Sequence, residues 1–308
     1  TVLNLSREHE AAVFEMGTNH FGEISYLTGI AKPDLAVITA IGEAHLEYLG
    51  SKEGVLRAKC EILEGLPAGG TLICNGDDPY LWNVPKSIAH AVVFCGVDNE
   101  EADFVGIPSK LTREECQFRV LGLSGVFCIH TGGLHNVKNA LLAIAVGKHY
   151  GLTDAEVRDG LAAFSNVGER QNRIEVSGVT VISDCYNANP ESMRAALRVL
   201  AMDECKGRRV AVLGDMLELG EGGEAAHFEI GKLAAACADV LFGVGKFGEI
   251  LRAGAIAGGM KQENAIAFQT VSELAFSVRE FLRPGDAALL KASHGLHLEQ
   301  VLELLRAE

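Results

Sequence analysis

In the second half of the chain, short, mainly apolar runs at residues 179–183, 209–214, 240–244, 265–268 and 287–291 alternate with segments of helical length and 3.6-residue period at 190–203, 224–237 and 271–282. Strand and helix in strict turn predict βαβ units and a parallel sheet covered on both faces, hence a Rossmann-like domain. The first half is less uniform. Residues 11–16 and 35–41 read as buried parallel strands, and 71–74 and 91–95 as two more. Between 102 and 130 the pattern changes to that of a hairpin, with 116–121 and 125–130 flanking a glycine-containing turn. A helix ending at Phe164 precedes a reset of the pattern near 166–168, which predicts two domains, 1–167 and 168–308. The expected fold class is α/β: a mostly parallel sheet with a small antiparallel hairpin region, followed by the Rossmann-like domain.

A length of 308 residues agrees with two domains, and 48% hydrophobic with 22% charged residues is ordinary globular composition. Lys plus Arg number 27 against 41 Asp plus Glu, a formal charge of −14. So acidic a surface repels phosphate backbones and anionic lipid, which argues against nucleic-acid and membrane-surface partners. No apolar run approaches the roughly 18 residues of a spanning helix, and Thr1 opens no basic region followed by a hydrophobic signal core. A soluble, cytoplasmic protein is expected. Eight cysteines lie scattered without a CxxC pair, most inside apolar runs, which reads as buried free thiols in a reducing compartment.

Four places could carry chemistry. Across 51–66, Val55, Leu56, Cys60, Ile62, Leu63 and Leu66 fall on one helical face and Glu53, Arg57, Glu61 and Glu64 opposite. Lys59 lies in the middle of the apolar face, where an ammonium must snorkel, pair, lose its proton or be modified. Glu15 ends the first predicted strand and His45 follows the second, at the carboxyl ends where open α/β sheets hold ligands. Together they could bind a divalent cation; separately each could equally be a capping or packing residue. Asn136 and Asn139 share a face at the start of an apolar helix, where one could be the cap. In Asp184-Cys185-Tyr186-Asn187-Ala188-Asn189-Pro190, Asn189 and Pro190 have a complete structural reason as cap and first helical residue. That leaves Asp184, Tyr186 and Asn187 in a strand-to-helix loop.

These stretches, taken in order, resemble the Mur ligase family. Glu15-Met16-Gly17-Thr18-Asn19-His20 looks like the family's segment after the phosphate loop, and Gly42-Glu43-Ala44-His45 with Lys59 fourteen residues on is similar to its Mg²⁺ histidine and carbamylated lysine. The resemblance therefore implies Mg²⁺ at Glu15, His45 and Lys59, with CO₂ taken up as a lysine carbamate and these three residues catalytic. It implies ATP near Asn136, Asn139, Asp184, Tyr186 and Asn187, with Arg170 of Gly168-Glu169-Arg170 reaching the phosphates; a plain surface arginine is the other reading. The run 212–220, Val-Leu-Gly-Asp-Met-Leu-Glu-Leu-Gly, is either an ordinary strand-to-helix turn or, by resemblance, the signature of the branch that joins D-alanyl-D-alanine to UDP-N-acetylmuramoyl-tripeptide. On that footing Asp215, Lys291 and Ser293 are expected on the D-alanyl-D-alanine side, although Leu290-Lys291-Ala292-Ser293-His294 departs from the family's usual Lys-Gly-Ser-Arg.

The implied partners are the UDP-linked tripeptide and the dipeptide, and the implied protein is a monomer acting in peptidoglycan precursor synthesis. The family's Gly-Lys-Thr or Gly-Lys-Ser phosphate loop occurs nowhere in the 308 residues. It and the family's amino-terminal UDP-holding domain are expected upstream of Thr1, the first domain then being an incomplete ATP-binding domain and the chain alone inactive. The rivals are another Mur or folylpolyglutamate-type amide ligase and a noncatalytic nucleotide-binding fragment. A dehydrogenase is the third and disfavoured reading, although one run of GxGxxG spacing, Gly243-Val244-Gly245-Lys246-Phe247-Gly248, does lie at the end of the apolar run 240–244.

Overall fold

The computed structural model describes residues 5–43, 45–84, 90–112, 114–164 and 172–306. They fall into two units: Thr1–Ser109 with Gln117–Cys128 and Val137–Ala162, and Ala163–Glu308 with Lys110–Cys116 and Ile129–Asn136. The domain boundary expected at 167/168 falls among residues outside the described set, as does Arg170.

The first part of the chain runs α1 (Glu23–Ala31), β1 (Leu35–Ile38), α2 (Leu46–Leu49), α3 (Lys52–Cys60), β2 (Thr71–Asn75), α4 (Pro79–Trp82), β3 (Ala91–Gly96), β4 (Phe104–Leu111), β5 (Cys116–Val120), β6 (Phe127–Ile129), α5 (Leu134–His149) and α6 (Asp154–Ala162). Its six strands form one sheet in sequential order, with β1 to β4 parallel. Ala36, Ile38, Leu72, Cys74 and Phe94 on one face of that sheet pack with Leu49, Val55, Ala58 and Leu81. On α5, Leu141 comes so close to Gly106 of β4 that a Cβ there would lie 2.8 Å from its Cδ1. The turn between β5 and β6 carries Gly122 and Gly125 at φ 80° and 89°, a region that glycine enters without a side-chain clash.

Two expectations are corrected here. Residues 11–16 form no strand and are largely exposed, Val13 at 94%. An apolar run becomes a strand only when it pairs with a neighbour, and residues 11–16 pair with no strand among the described residues, leaving β1 at the edge of its sheet. The single helix expected over 51–66 ends at Cys60 and tightens into a 3₁₀ segment, Glu61–Gly65. Gly65 meets α1 so closely there that a Cβ would lie 2.2 Å from Thr28 Oγ1.

The second part runs β7 (Asn172–Val176), β8 (Val179–Asp184), α7 (Pro190–Ala201), β9 (Arg209–Leu213), α8 (Gly223–Cys237), β10 (Val240–Val244), α9 (Gly248–Ala257), β11 (Ala265–Phe268), α10 (Val271–Phe281), β12 (Ala287–Lys291) and α11 (Glu299–Arg306). The sheet order is β11-β10-β9-β12-β8-β7, parallel throughout except for β7 against β8. Side chains alternate between its faces: Ala211, Leu213, Leu241 and Leu289 pack toward α7, α8 and α9, while Val210, Val212, Phe242 and Leu290 pack toward α10 and α11. Burial on both faces is why these strands read as mainly apolar runs. The antiparallel edge strand β7, Asn-Arg-Ile-Glu-Val, alternates instead and was not among the expected strands. The expected α/β class and Rossmann-like second domain hold. All eight cysteines are free thiols, buried or half-buried.

Candidate functional site

In the first unit, the loop after β1 is pinned from two sides. Asp78, the cap of α4, accepts the Tyr80 and Leu81 N–H groups through Oδ1 and the Ile41 N–H at 2.6 Å through Oδ2. Lys59, near the end of α3, reaches back so that its Nζ donates to the Ala40 carbonyl at 2.6 Å, and Lys52 pairs with Glu43 at 3.3 Å. Lys59 is half-buried, with its stem on the apolar side and its amine on this loop. His45, at the other end of the loop, is half-buried in the left-handed region at φ 59°, and its carbonyl accepts the Tyr48 and Leu49 N–H groups that start α2. The structure thus gathers Lys59 onto the segment leading to His45. Glu15 is not at a strand end: it lies exposed on the irregular stretch 11–16.

The rest of that motif folds around two other carboxylates. Glu23 accepts the Asn19 and His20 N–H groups and the Thr18 hydroxyl, and the two backbone bonds, foremost, hold its pKa below the usual carboxylate range. Glu61 accepts the Gly22 and Ser25 N–H groups. At the start of α5, Asn136 donates through Nδ2 to Gly132 O at 2.7 Å and to Thr131 Oγ1 at 3.2 Å, closing the turn at Gly133, whose φ is 98°. Asn139, one turn on, is exposed. Lys138 between them bridges Asp77 at 2.9 Å and Asp98 at 2.8 Å. Burial works against its charge, but these two carboxylates raise its pKa above the ordinary lysine value. Its position in an apolar-looking helix gave no sequence signal for that role.

In the second unit the expected residues collect at the carboxyl edge of the sheet. The parallel register sets Lys291 of β12 opposite Asp184 of β8. The Lys291 Nζ, 1% exposed as a residue, donates to Asp184 Oδ2 at 2.7 Å and to the Asn187 carbonyl at 2.8 Å. A buried ammonium thus holds the loop that presents Tyr186 and Asn187, both exposed, to solvent. As the sequence suggested, Asn189 caps α7, in a reciprocal pair with Ser192, and Pro190 is its first residue. Ser293 Oγ accepts the Leu217 N–H at 3.0 Å and donates to Ala188 O at 3.3 Å, tying that loop to the segment after β9. Asp215, 5% exposed, accepts the Lys246 and Phe247 N–H groups, both at 2.9 Å. Lys291, Ser293 and Asp215 therefore face inward and shape neighbouring loops. The groups offered to solvent along this edge include Tyr186, Asn187, Leu217, Lys246 and His294. Sequence reasoning passed over His227, fully buried on α8; a lone histidine in register with Ile230, Gly231 and Ala234 was the signal available.

No helix among the described residues is long and apolar enough to cross a membrane. Residues 1–147 match the family described as Mur ligase middle domain, and residues 169–294 that described as Mur ligase, glutamate ligase domain. The UDP-N-acetylmuramoyl-tripeptide–D-alanyl-D-alanine ligase of Bacillus subtilis strain 168 is 37% identical over 305 residues, covering 98% of this chain; the chain spans 66% of that relative's length. Among solved structures, MurF from Acinetobacter baumannii superposes with a TM-score of 0.88 at 30% identity, over 100% of this chain and 67% of its own. MurF ligase from Thermotoga maritima, in complex with ADP, follows at 0.80 and 26%, over 95% and 66%. With both halves matched in order and the whole chain superposing on such a relative, the chain belongs to the Mur ligase family.

Proposed function

We propose that this chain forms the middle and C-terminal parts, 1–167 and 168–308, of a cytoplasmic ligase that joins D-alanyl-D-alanine to UDP-N-acetylmuramoyl-tripeptide at the expense of ATP, in peptidoglycan synthesis. In that reaction the tripeptide carboxylate takes the γ-phosphoryl group of ATP, releasing ADP. The amine of D-alanyl-D-alanine then attacks the acyl carbon, the C–N bond forms, phosphate leaves and the amine gives up a proton. The observation that carries the reading is the tie between loops 184–189 and 214–219, the stretches that bear the family resemblance. Lys291 and Ser293 lock both to the carboxyl edge of one sheet, where α/β sheets hold ligands. The Bacillus relative, named for this ligation, and the Thermotoga structure, which contains ADP, support the same substrates.

Under this reading Glu15, His45 and Lys59 would hold Mg²⁺, with Lys59 as its carbamate. The donor set fits: a carboxylate, an imidazole and, after the neutral amine adds CO₂ and releases a proton, two carbamate oxygens. A carbamate keeps one N–H, so Lys59 would still have a donor for the Ala40 carbonyl. Mg²⁺, when bound, supplies charge neutralisation for phosphoryl transfer. Asn136, Asn139, Asp184, Tyr186, Asn187 and Arg170 would bind the nucleotide. Asp215, Lys291 and Ser293 would serve the dipeptide side by fixing loops, since their polar atoms are already engaged with the protein.

The test uses the intact enzyme, supplied with tripeptide precursor, ATP and either D-alanyl-D-alanine or glutamate. Ligation of the dipeptide alone is expected, with Lys59→Ala inactive and partly rescued by acetate or formate. Full activity of Lys59→Ala would remove the carbamate, and preference for glutamate would replace the acceptor.

A further inference from the structure

The loops after β9 and β10 meet over a buried imidazole. His227 sits one turn into α8 at 0% exposure. Its Nδ1 lies 2.6 Å from the Gly223 carbonyl, which can only accept, so Nδ1 carries the hydrogen and Nε2 is left as an acceptor. The Met216 N–H donates to Nε2 at 2.8 Å. The geometry requires the neutral ring, and burial, which holds its pKa below the ordinary histidine value, favours that form.

The ring also stacks on Phe247, with centroids 4.2 Å apart and planes at 19°. Phe247 and Lys246 in turn donate their N–H groups to Asp215. Each loop is thus held by a group belonging to, or packed on, the other. Gly245 makes the approach feasible at φ 99°, where a Cβ would stand 2.5 Å from Asp215 Oδ2. The exposed side chains of the pair are Leu217 and Lys246, with Glu218 and Phe247 half-buried beside them, and the Lys246 Nζ lies 4.8 Å above the Phe247 ring.

We propose that His227 is a positioning residue that couples loops 214–219 and 245–247 into a single surface for the acceptor dipeptide. This rests on the ligase reading above. His227 touches no reacting atom; it acts through the Met216 N–H and the Phe247 ring. The dipeptide brings an amine that must be aimed and a carboxylate that must be held, and misalignment of either loop weakens acceptor binding most; loop 184–189 on the nucleotide side touches 214–219 through Ser293 but keeps its own anchors to Lys291, so it is disturbed less.

The test compares His227→Leu, which cannot accept the Met216 N–H, with His227→Gln, whose amide oxygen can. In the intact enzyme His227→Leu should raise the KM for D-alanyl-D-alanine about tenfold, the scale of one buried N–H left unpaired. The KM values for ATP and for the UDP-linked tripeptide should stay within about twofold of the parent. His227→Gln should recover most of the acceptor KM. An unchanged acceptor KM in His227→Leu, or equal loss on all three substrates without rescue by His227→Gln, overturns the proposal. A second measurement needs no activity: hydrogen–deuterium exchange on this chain. His227→Leu should speed exchange in 214–219 and 245–248 together, and acceleration confined to 214–219 overturns the coupling. Should the intact parent enzyme fail to ligate the dipeptide at all, the ligase reading falls and the exchange result alone decides whether the loops are coupled.

Discussion

Replacing Lys291 by Met should destabilise the protein far more than its modest change in volume suggests. The ammonium makes two short hydrogen bonds, to Asp184 and to the Asn187 carbonyl, in a place where the lysine is 1% and the aspartate 9% exposed. Lys291→Met leaves a nearly buried carboxylate and a carbonyl without their donor. Removing one partner of a buried pair costs about 3–5 kcal/mol, whereas replacing both by apolar groups is often close to neutral. Against a total stability of about 5–15 kcal/mol this is a large share, and for a chain of 308 residues unfolding as one unit it lowers Tm by about 5–8 °C. The assay is urea and thermal unfolding of Lys291→Met, Asp184→Asn and the double variant Lys291→Met/Asp184→Leu. Far-UV circular dichroism is the probe, because the single tryptophan, Trp82, lies in the other unit, packed on Phe94. The double variant should recover most of the loss. A shift below about 1 kcal/mol in Lys291→Met, the size of an exposed pair, would refute the reasoning, as would a double variant that loses the sum of the two single losses.

Two glycines should respond in opposite directions to alanine. Gly65→Ala places a Cβ 2.6 Å from the Thr28 carbonyl oxygen and should cost about 1–3 kcal/mol by urea unfolding; Gly160→Ala, exposed inside α6 with nothing within 4 Å of the new carbon, should gain about 0.5–1 kcal/mol. Asp286 is 2% exposed, and although burial alone would raise its pKa, the Arg208 side chain and the Arg208 and Arg283 N–H groups outweigh burial and lower it below 3.8. Its contribution to stability is therefore present above the unfolded carboxyl value and is lost as pH falls through the lower folded one. Asp286→Asn should flatten the acid limb of a stability–pH curve measured between pH 2 and 6, and an unchanged limb would show that this carboxylate carries none of it.

Much of the second unit was legible because local pattern and tertiary environment agree there. A strand buried on both faces has to be mainly apolar along its length, so β8, β9, β10 and β12 announce themselves. Asn189-Pro190 was legible for a similar reason, since cap chemistry acts within three residues. The segment 11–16 has the same apolar look as those strands, yet forms none. Nothing within six residues says whether a neighbouring strand will be present to complete its ladder.

By itself the sequence determined the α/β class, the alternation of strand and helix in the second half, the free cysteines and the candidate chemistry in its family order. Those features depend on periodicity and residue type, which act over a few positions. Only the tertiary structure decided what the polar groups do. Lys291 meets Asp184 across 107 positions and Leu217 meets Ser293 across 76, and Asp215, Lys291 and Ser293, expected on a substrate side, turn inward to hold neighbouring loops. Partner choice at such separations is set by sheet order and register, which no local pattern encodes. The same holds for His227, whose tautomer and role follow from a carbonyl one turn back, an N–H eleven residues earlier and a ring twenty residues later.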